Sequence, residues 1–237
     1  MAEPNISPTI NTLRREVGNF LGWGRDYSTW TATQESDFQF IMDRALRMFY
    51  SPPISPDLPR YEWEFLRTVD TITMVASTAT YDLPDDFGVM QDNSPVFAAG
   101  SEKRGLMKME SDDLRKCQSM ETAKGVPLYY SVQPKTFDPT VGQRWQVTMY
   151  PTPGADETNT VLTYRYTKVP DRMTNTNVYP MGGAQYGETI LYAFLAAAEN
   201  MTDDDSGGMY QQKFEQSLAQ AIRADEAAKT TERNLEA

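Results

Sequence analysis

Histidine is absent from this 237-residue chain, and cysteine occurs once, at Cys117. The missing imidazole removes the usual general base near neutral pH, the commonest zinc ligand and every Ser-His or Cys-His nucleophile arrangement. A lone thiol can close no intrachain disulfide and can supply neither a Cys-rich zinc site nor a CxxC redox pair, which fits a reducing compartment. Clustered Lys and Arg are also lacking, so no run is suited to neutralise nucleic-acid phosphates. No stretch approaches the roughly 18 apolar residues that span a bilayer. The N-terminus, "MAEPNISPTINTLRREVGNF", has no basic segment followed by an apolar one. The sequence therefore predicts neither a secretory signal nor a membrane-embedded segment.

The charge is acidic and uneven. The net value is −11, of which residues 1–60 contribute −1, 61–180 contribute −4 and 181–237 contribute −6. Composition is otherwise that of a soluble globular protein, with 40% hydrophobic and 23% charged residues. A chain of this length can bury a sizeable core without metals or disulfides.

Helical periodicity opens the chain. Ile10, Leu13, Val17, Phe20 and Leu21 recur at helical spacing, with Ser7 and Pro8 expected as cap and first position and Gly22 as the stop. A second helix, expected from Thr33 to Glu35 onward, sets Phe38, Ile41, Met42, Ala45, Leu46 and Phe49 on one stripe. "SPPISPDLP" ends it, because four prolines in nine residues enforce an extended connector.

From about residue 70 the period changes to two. Ile72 and Met74 face one way and Thr71, Thr73 and Val75 the other, and Tyr81 and Leu83 continue the alternation. Further strands are expected at 89–91, 96–98, 106–109, 126–133, 144–151 and 160–170, with "PTPGADET" as a hairpin loop between the last two. Trp145, Val147 and Met149 should share one face, as should Leu162, Tyr164 and Tyr166. Ser111 with Asp112 and Asp113 reads as the start of a short helix to about Met120. The C-terminal part returns to helix: Ile190, Leu191, Phe194, Leu195, Ala198 and Met201 form a broad apolar face, and Tyr210, Phe214, Leu218, Ala221 and Ile222 a narrow one.

These elements predict an α+β fold in which N- and C-terminal helices form a bundle and an antiparallel β domain is inserted. The expected divisions are residues 1–60, 61–180 and 181–237, the last completing the bundle and contacting partners.

Three motifs carry possible chemistry. In "YDLPDDFG", Asp85 and Asp86 could form a catalytic or metal-binding carboxylate pair, with Asp82 and Asp92 as the only local additional ligands. A turn closing a strand accounts for the same residues: Pro84 stops the ladder, the aspartates bond their own backbone, Phe87 re-enters the core and Gly88 relieves strain. "DDDSGG" at 203–208 resembles a calcium loop, but the twelfth position is Phe214 rather than glutamate, so a helix-to-helix break is the simpler account. In "YRYTK", aromatics interleaved with Arg could stack bases, yet strand alternation produces the same pattern.

The order of segments is more informative. "LRREVGNFLG", "ESDFQFIMDRALRMFYSPP", "YEWEFLRTVDTITMVASTATYDLPDDF", "RWQVTMYPTPGADETNTVLTYRYTKVP" and the Ala-rich closing helices together resemble the head-to-tail adaptor (neck or connector) proteins of tailed bacteriophages, including tail tubular relatives. The resemblance spans roughly residues 10 to 200, and its best run extends from Trp63 through Tyr81, Leu83, Pro84 and Phe87. It implies a non-enzymatic virion subunit, assembled in the host cytoplasm, without cofactor or metal. It further implies a homo-oligomeric ring, commonly twelvefold, that joins portal protein to a distal tail or nozzle protein and lets DNA pass without specific binding.

The narrow C-terminal stripe suggests where partners meet. Tyr210, Phe214, Leu218 and Ile222 are the expected contacts with a neighbouring subunit or the portal, because a helix of about 32 Å with so thin an apolar face needs covering. Two other classes stay open at this point. One is a sheet-rich receptor- or fibre-binding module of a virion; the other is a wall hydrolase working through Asp85 and Asp86.

Overall fold

The computed structural model of the chain describes residues 4–52, 60–91, 95–97, 105–202 and 208–235, the last six by backbone alone. The chain divides into two compact units. One combines Met1–Leu66 with Pro170–Ala237, and the other, Arg67–Val169, is inserted into it. The fold is α+β, with terminal helices packed together and β-sheets in the insertion.

Four helices build the first unit: α1 (Ile10–Phe20), α2 (Ala32–Tyr50), α4 (Gly187–Thr202) and α5 (Met209–Leu235). α4 packs against α1, α2 and α5. Its sequence explains that central place, since Ile190, Ala193, Phe194, Leu195, Ala196, Ala197 and Ala198 are all buried and leave little of the helix for water. The predicted α2 stripe, Phe38 through Phe49, is buried throughout. α2 begins at a capping box, in which Thr31 Oγ1 accepts from Gln34 N at 3.3 Å and Gln34 Oε1 accepts from Thr31 N at 2.8 Å.

α1 starts later than expected. Thr9, not Ser7, is the cap, and its Oγ1 accepts from Thr12 N at 3.2 Å. Pro8 instead packs against the start of α4, where a Cβ on Gly187 would lie 2.9 Å from the proline ring. Gly22 ends the turn after α1 with φ of 72°, as its position predicts.

Aromatic residues fill the space between α2, the segment at 61–66 and the start of α4. Trp63 is fully buried, and its indole N–H donates to Phe49 O at 2.8 Å. Phe49, Phe65, Tyr61 and Tyr186 surround it with ring centroids 5.1–5.4 Å away.

The inserted unit holds α3 (Ser111–Met120) and two four-stranded sheets. The first joins β1 (Arg67–Thr73), β10 (Val161–Lys168), β3 (Phe87–Met90) and β4 (Val96–Phe97); the second joins β2 (Thr80–Asp82), β8 (Trp145–Tyr150), β7 (Tyr129–Pro134) and β5 (Met107–Lys108). Their inner faces share one core, which includes Ile72, Met74, Leu162, Tyr164 and Tyr166 from one sheet and Val147 and Met149 from the other. The predicted alternation holds at residues 71–75, where Ile72 and Met74 are buried and Thr71, Thr73 and Val75 exposed.

Three expectations change here. "PTPGADET" is not a hairpin loop, because β8 is already flanked on both sides by β7 and β2 and offers β10 no edge. The segment instead carries the chain from the second sheet to the first, forming β9 (Thr152–Pro153) and a short 3-10 turn on the way. The sheets are also not wholly antiparallel: β5 pairs with β7, and β6 (Lys124–Gly125) with β9, in parallel. α3 begins one residue beyond Glu110, which takes the cap position expected of Ser111.

Candidate functional site

The aspartates that follow β2 are each tied to a cation of their own. Asp86 accepts from Lys168 Nζ at 2.7 Å and from the Tyr166 hydroxyl at 2.8 Å, and its backbone carbonyl accepts from Val169 N at 2.7 Å. Asp85 pairs with Arg144 at 3.0 Å, and Asp82 with Lys135 at 2.8 Å. Burial alone would push the Asp86 carboxyl up, but the hydrogen bonds from Lys168 and Tyr166 outweigh it and hold the group below its usual range. A carboxylate so held is poorly suited to carry a proton in general acid catalysis. Burial, then the bond to Asp86, pushes the Tyr166 hydroxyl up. The turn reading therefore accounts for this stretch, with one addition: besides the bond of the Asp86 carboxylate to its own backbone, the aspartates bind side chains from β10 and from Arg144, just before β8. Gly88 is required for space, since a Cβ there would come within 2.6 Å of Thr167 O. Asp92 lies outside the described residues, as does 203–207 of "DDDSGG".

A second polar cluster fastens α5. Asp225, only 5% exposed, accepts from the Tyr61 hydroxyl at 2.7 Å, the Tyr186 hydroxyl at 3.3 Å and Glu64 N at 3.3 Å. Lys229, one turn later on α5, places Nζ 2.8 Å from the Asp225 carboxylate and donates to Glu62 O. The ammonium also sits 4.4 Å from the centroid of the Tyr61 ring. Burial, then the neighbouring Asp225, pushes Tyr186 up to about 12 and moves Tyr61 in the same direction. A buried carboxylate is tolerated only when it is paired and saturated with donors, and this one is.

The other end of α5 is held by α4. Glu199 Oε2 accepts from Tyr210 N and Gln211 N, both at 3.0 Å, so a carboxylate caps the positive end of the helix. Gly208 lies so close that a Cβ would sit 2.1 Å from the Glu199 carboxyl carbon. Between the two ends, the Thr189 hydroxyl and Ser217 Oγ lie 2.6 Å apart across α4 and α5.

These contacts border an open groove of about 550 Å³. Its floor includes Phe65, Tyr186 and Ala221, one wall is the α5 face from Ser217 to Ala228, and its charged lining residues, Glu64, Glu188 and Asp225, are all carboxylates.

The four predicted contact residues fall on α5 at this hairpin. Phe214 is 3% exposed within the first unit's own core, and Tyr210, Leu218 and Ile222 are half-buried against it. Tyr210 also meets the Phe20 ring edge-on at 5.2 Å. Tyr210, Leu218 and Ile222 thus keep uncovered flanks, whereas Phe214 does not. The Asp225 cluster escapes a reading of hydrophobic periodicity, although a signal exists: Asp225 continues the stripe Phe214, Leu218, Ala221 at the next helical step, and Lys229 follows at i+4. Among the described residues no three Asp, Glu or Cys side chains come together as a potential metal site. Nor, among them, is any helix long and apolar enough to cross a membrane.

Fold and sites together define an α+β protein whose polar clusters pin turns and helices in place. Comparison with known families identifies it further. The profile of the SU10 adaptor protein family matches residues 8–234, and the chain belongs to that family. It is a phage adaptor protein of the head-tail type, structural rather than catalytic. No curated protein matches the chain.

Proposed function

We propose that copies of this chain assemble into an oligomeric ring, commonly twelvefold in such adaptors, that docks on the portal and receives the next tail component. The genome passes through its channel. Membership of the adaptor family over residues 8–234 carries this reading. The acidic character of the chain supports a channel role: with a net charge of −11 per copy, carboxylates lining a duct would repel phosphates within a screening length of about 8 Å. DNA would then slide without specific binding. The uncovered flanks of Tyr210, Leu218 and Ile222, seated over Phe214, are proposed as contacts with a neighbouring subunit or the portal.

Immunogold labelling of intact virions with an antibody against this chain tests the reading. Label confined to the head-tail junction is expected. Label along fibres or over the capsid, or its absence from virions, would overturn it.

A further inference from the structure

The acidic groove beside α5 has a counterpart on the other flank of the helical unit. α2 is covered along its apolar stripe, yet Phe40 on its opposite side is 63% exposed. Arg44 and Arg47 follow Phe40 by one and two turns on the same face, both exposed, and Thr33 and Ser36 precede it. Asp43, at the margin of this face, is paired with Arg172 at 2.7 Å, and Asp37 lies one turn before Phe40. The cationic part of the face is thus its C-terminal half. The groove has the opposite character: its lining includes Phe65 and Tyr186, and while Asp225 is already matched by Lys229, Glu188 is an exposed carboxylate on its rim.

One copy cannot satisfy itself. α4 turns Phe194 toward Phe38 of α2 and Thr189 toward Ser217 of α5. Five residues separate those two positions, which places α2 and α5 about 140° apart around α4 at 3.6 residues per turn. Phe40 in turn points away from the α2 face that meets α4. A projecting surface on one flank and its receptor on another give a heterologous, head-to-tail contact, the kind that closes into a ring when the rotation between copies allows.

We propose that the groove lined by Phe65, Tyr186, Glu188 and Ala221 receives Phe40 of a second copy of this chain, with Arg44 and Arg47 against the exposed Glu188 at its rim. This rests on the ring-forming adaptor reading and names the surfaces that would make the ring. The dimensions agree: the α2 face from Thr33 to Arg47 is about 21 Å long, and the α5 wall from Ser217 to Ala228 about 16 Å. A phenyl ring entering an aromatic-floored groove with flanking guanidinium groups has the composition of an interface hot spot.

The test uses the full-length protein and mass photometry over a concentration series, alone and with portal. Phe40→Glu and Arg44→Glu/Arg47→Glu are expected to weaken copy-copy assembly by roughly 30-fold or more, the range of a truncated hot spot. Both sites are exposed, and an unchanged circular dichroism spectrum confirms folding. Glu188→Lys should weaken assembly as well, and combining it with Arg44→Glu/Arg47→Glu should recover at least tenfold. Assembly of Phe40→Glu at wild-type concentrations overturns the proposal while leaving the adaptor reading intact. Loss of portal binding with copy-copy assembly preserved overturns it too, by assigning Phe40 to the portal. A wild-type chain that stays monomeric even with portal removes the ring reading itself.

Discussion

Replacing Asp225 with alanine should loosen α5 more than any other single polar change in the helical unit. The carboxylate is 5% exposed, and its partner Lys229 has a side chain 16% exposed. Its removal deprives the Tyr61 and Tyr186 hydroxyls and Glu64 N of a shared acceptor, while the ammonium keeps Glu62 O and the Tyr61 oxygen and ring. Deleting one member of a buried ion pair costs about 3–5 kcal/mol, and the remaining partners of Lys229 favour the lower end. A loss of about 3 kcal/mol is a factor on the order of 100 in the equilibrium constant. Asp225→Asn keeps the volume and one acceptor, so its cost should be smaller, about 1–2 kcal/mol. Urea unfolding followed by circular dichroism gives the total, and amide hydrogen exchange along α5 shows whether the loss is local. Protein concentration must be held fixed, because self-association raises apparent stability. An Asp225→Ala protein within about 0.5 kcal/mol of wild type, with α5 exchange unchanged, would refute the reasoning that this cluster fastens the helix.

Asp86→Asn should lower stability by about 1–2 kcal/mol near neutral pH through loss of charge-assisted bonds to Lys168 and Tyr166. Because the folded-state pKa of Asp86 is depressed, its contribution is complete above the unfolded carboxylate value of about 3.9 and disappears as pH falls through the folded one. The gap between variant and wild type in thermal melts should accordingly shrink below about pH 4; a gap that persists undiminished into stronger acid would show that the charge is not responsible. Gly208→Ala should displace the flexible Glu199 side chain rather than the backbone and so cost about 1 kcal/mol, the value of a helix cap. Glu199→Ala should cost a similar amount, and in chemical denaturation the two changes together should cost less than their sum; full additivity would mean that Gly208 and Glu199 do not act through one cap.

Legibility followed the range of the interactions. The stripe from Phe38 to Phe49, the alternation through Ile72 and Met74, and the inward set Leu162, Tyr164 and Tyr166 are periodic over a few residues, and each took its expected place in a core. Sheet partnership is decided by which edges are free, so the fate of "PTPGADET" depended on β2 and β7 already flanking β8. Nothing local encodes that. The Asp85 and Asp86 turn was legible in outline, but its anchors, Arg144, Tyr166 and Lys168, lie far along the chain. The thin stripe on α5 suggested an uncovered surface. In the structure Phe214 is covered by its own unit, because α4 supplies an apolar wall that the stripe alone does not announce. A carboxylate on an apolar stripe, such as Asp225, reads as an interruption in the sequence, because its partners Tyr61 and Tyr186 come from distant segments.

The claim that this chain joins other virion components by assembling with its own copies meets its most direct test in electron microscopy of the purified protein mixed with its portal. Closed rings of this chain, stacked coaxially on the portal, are the predicted outcome. Separate monomers beside bare portal particles, at concentrations where both partners are folded, would contradict it.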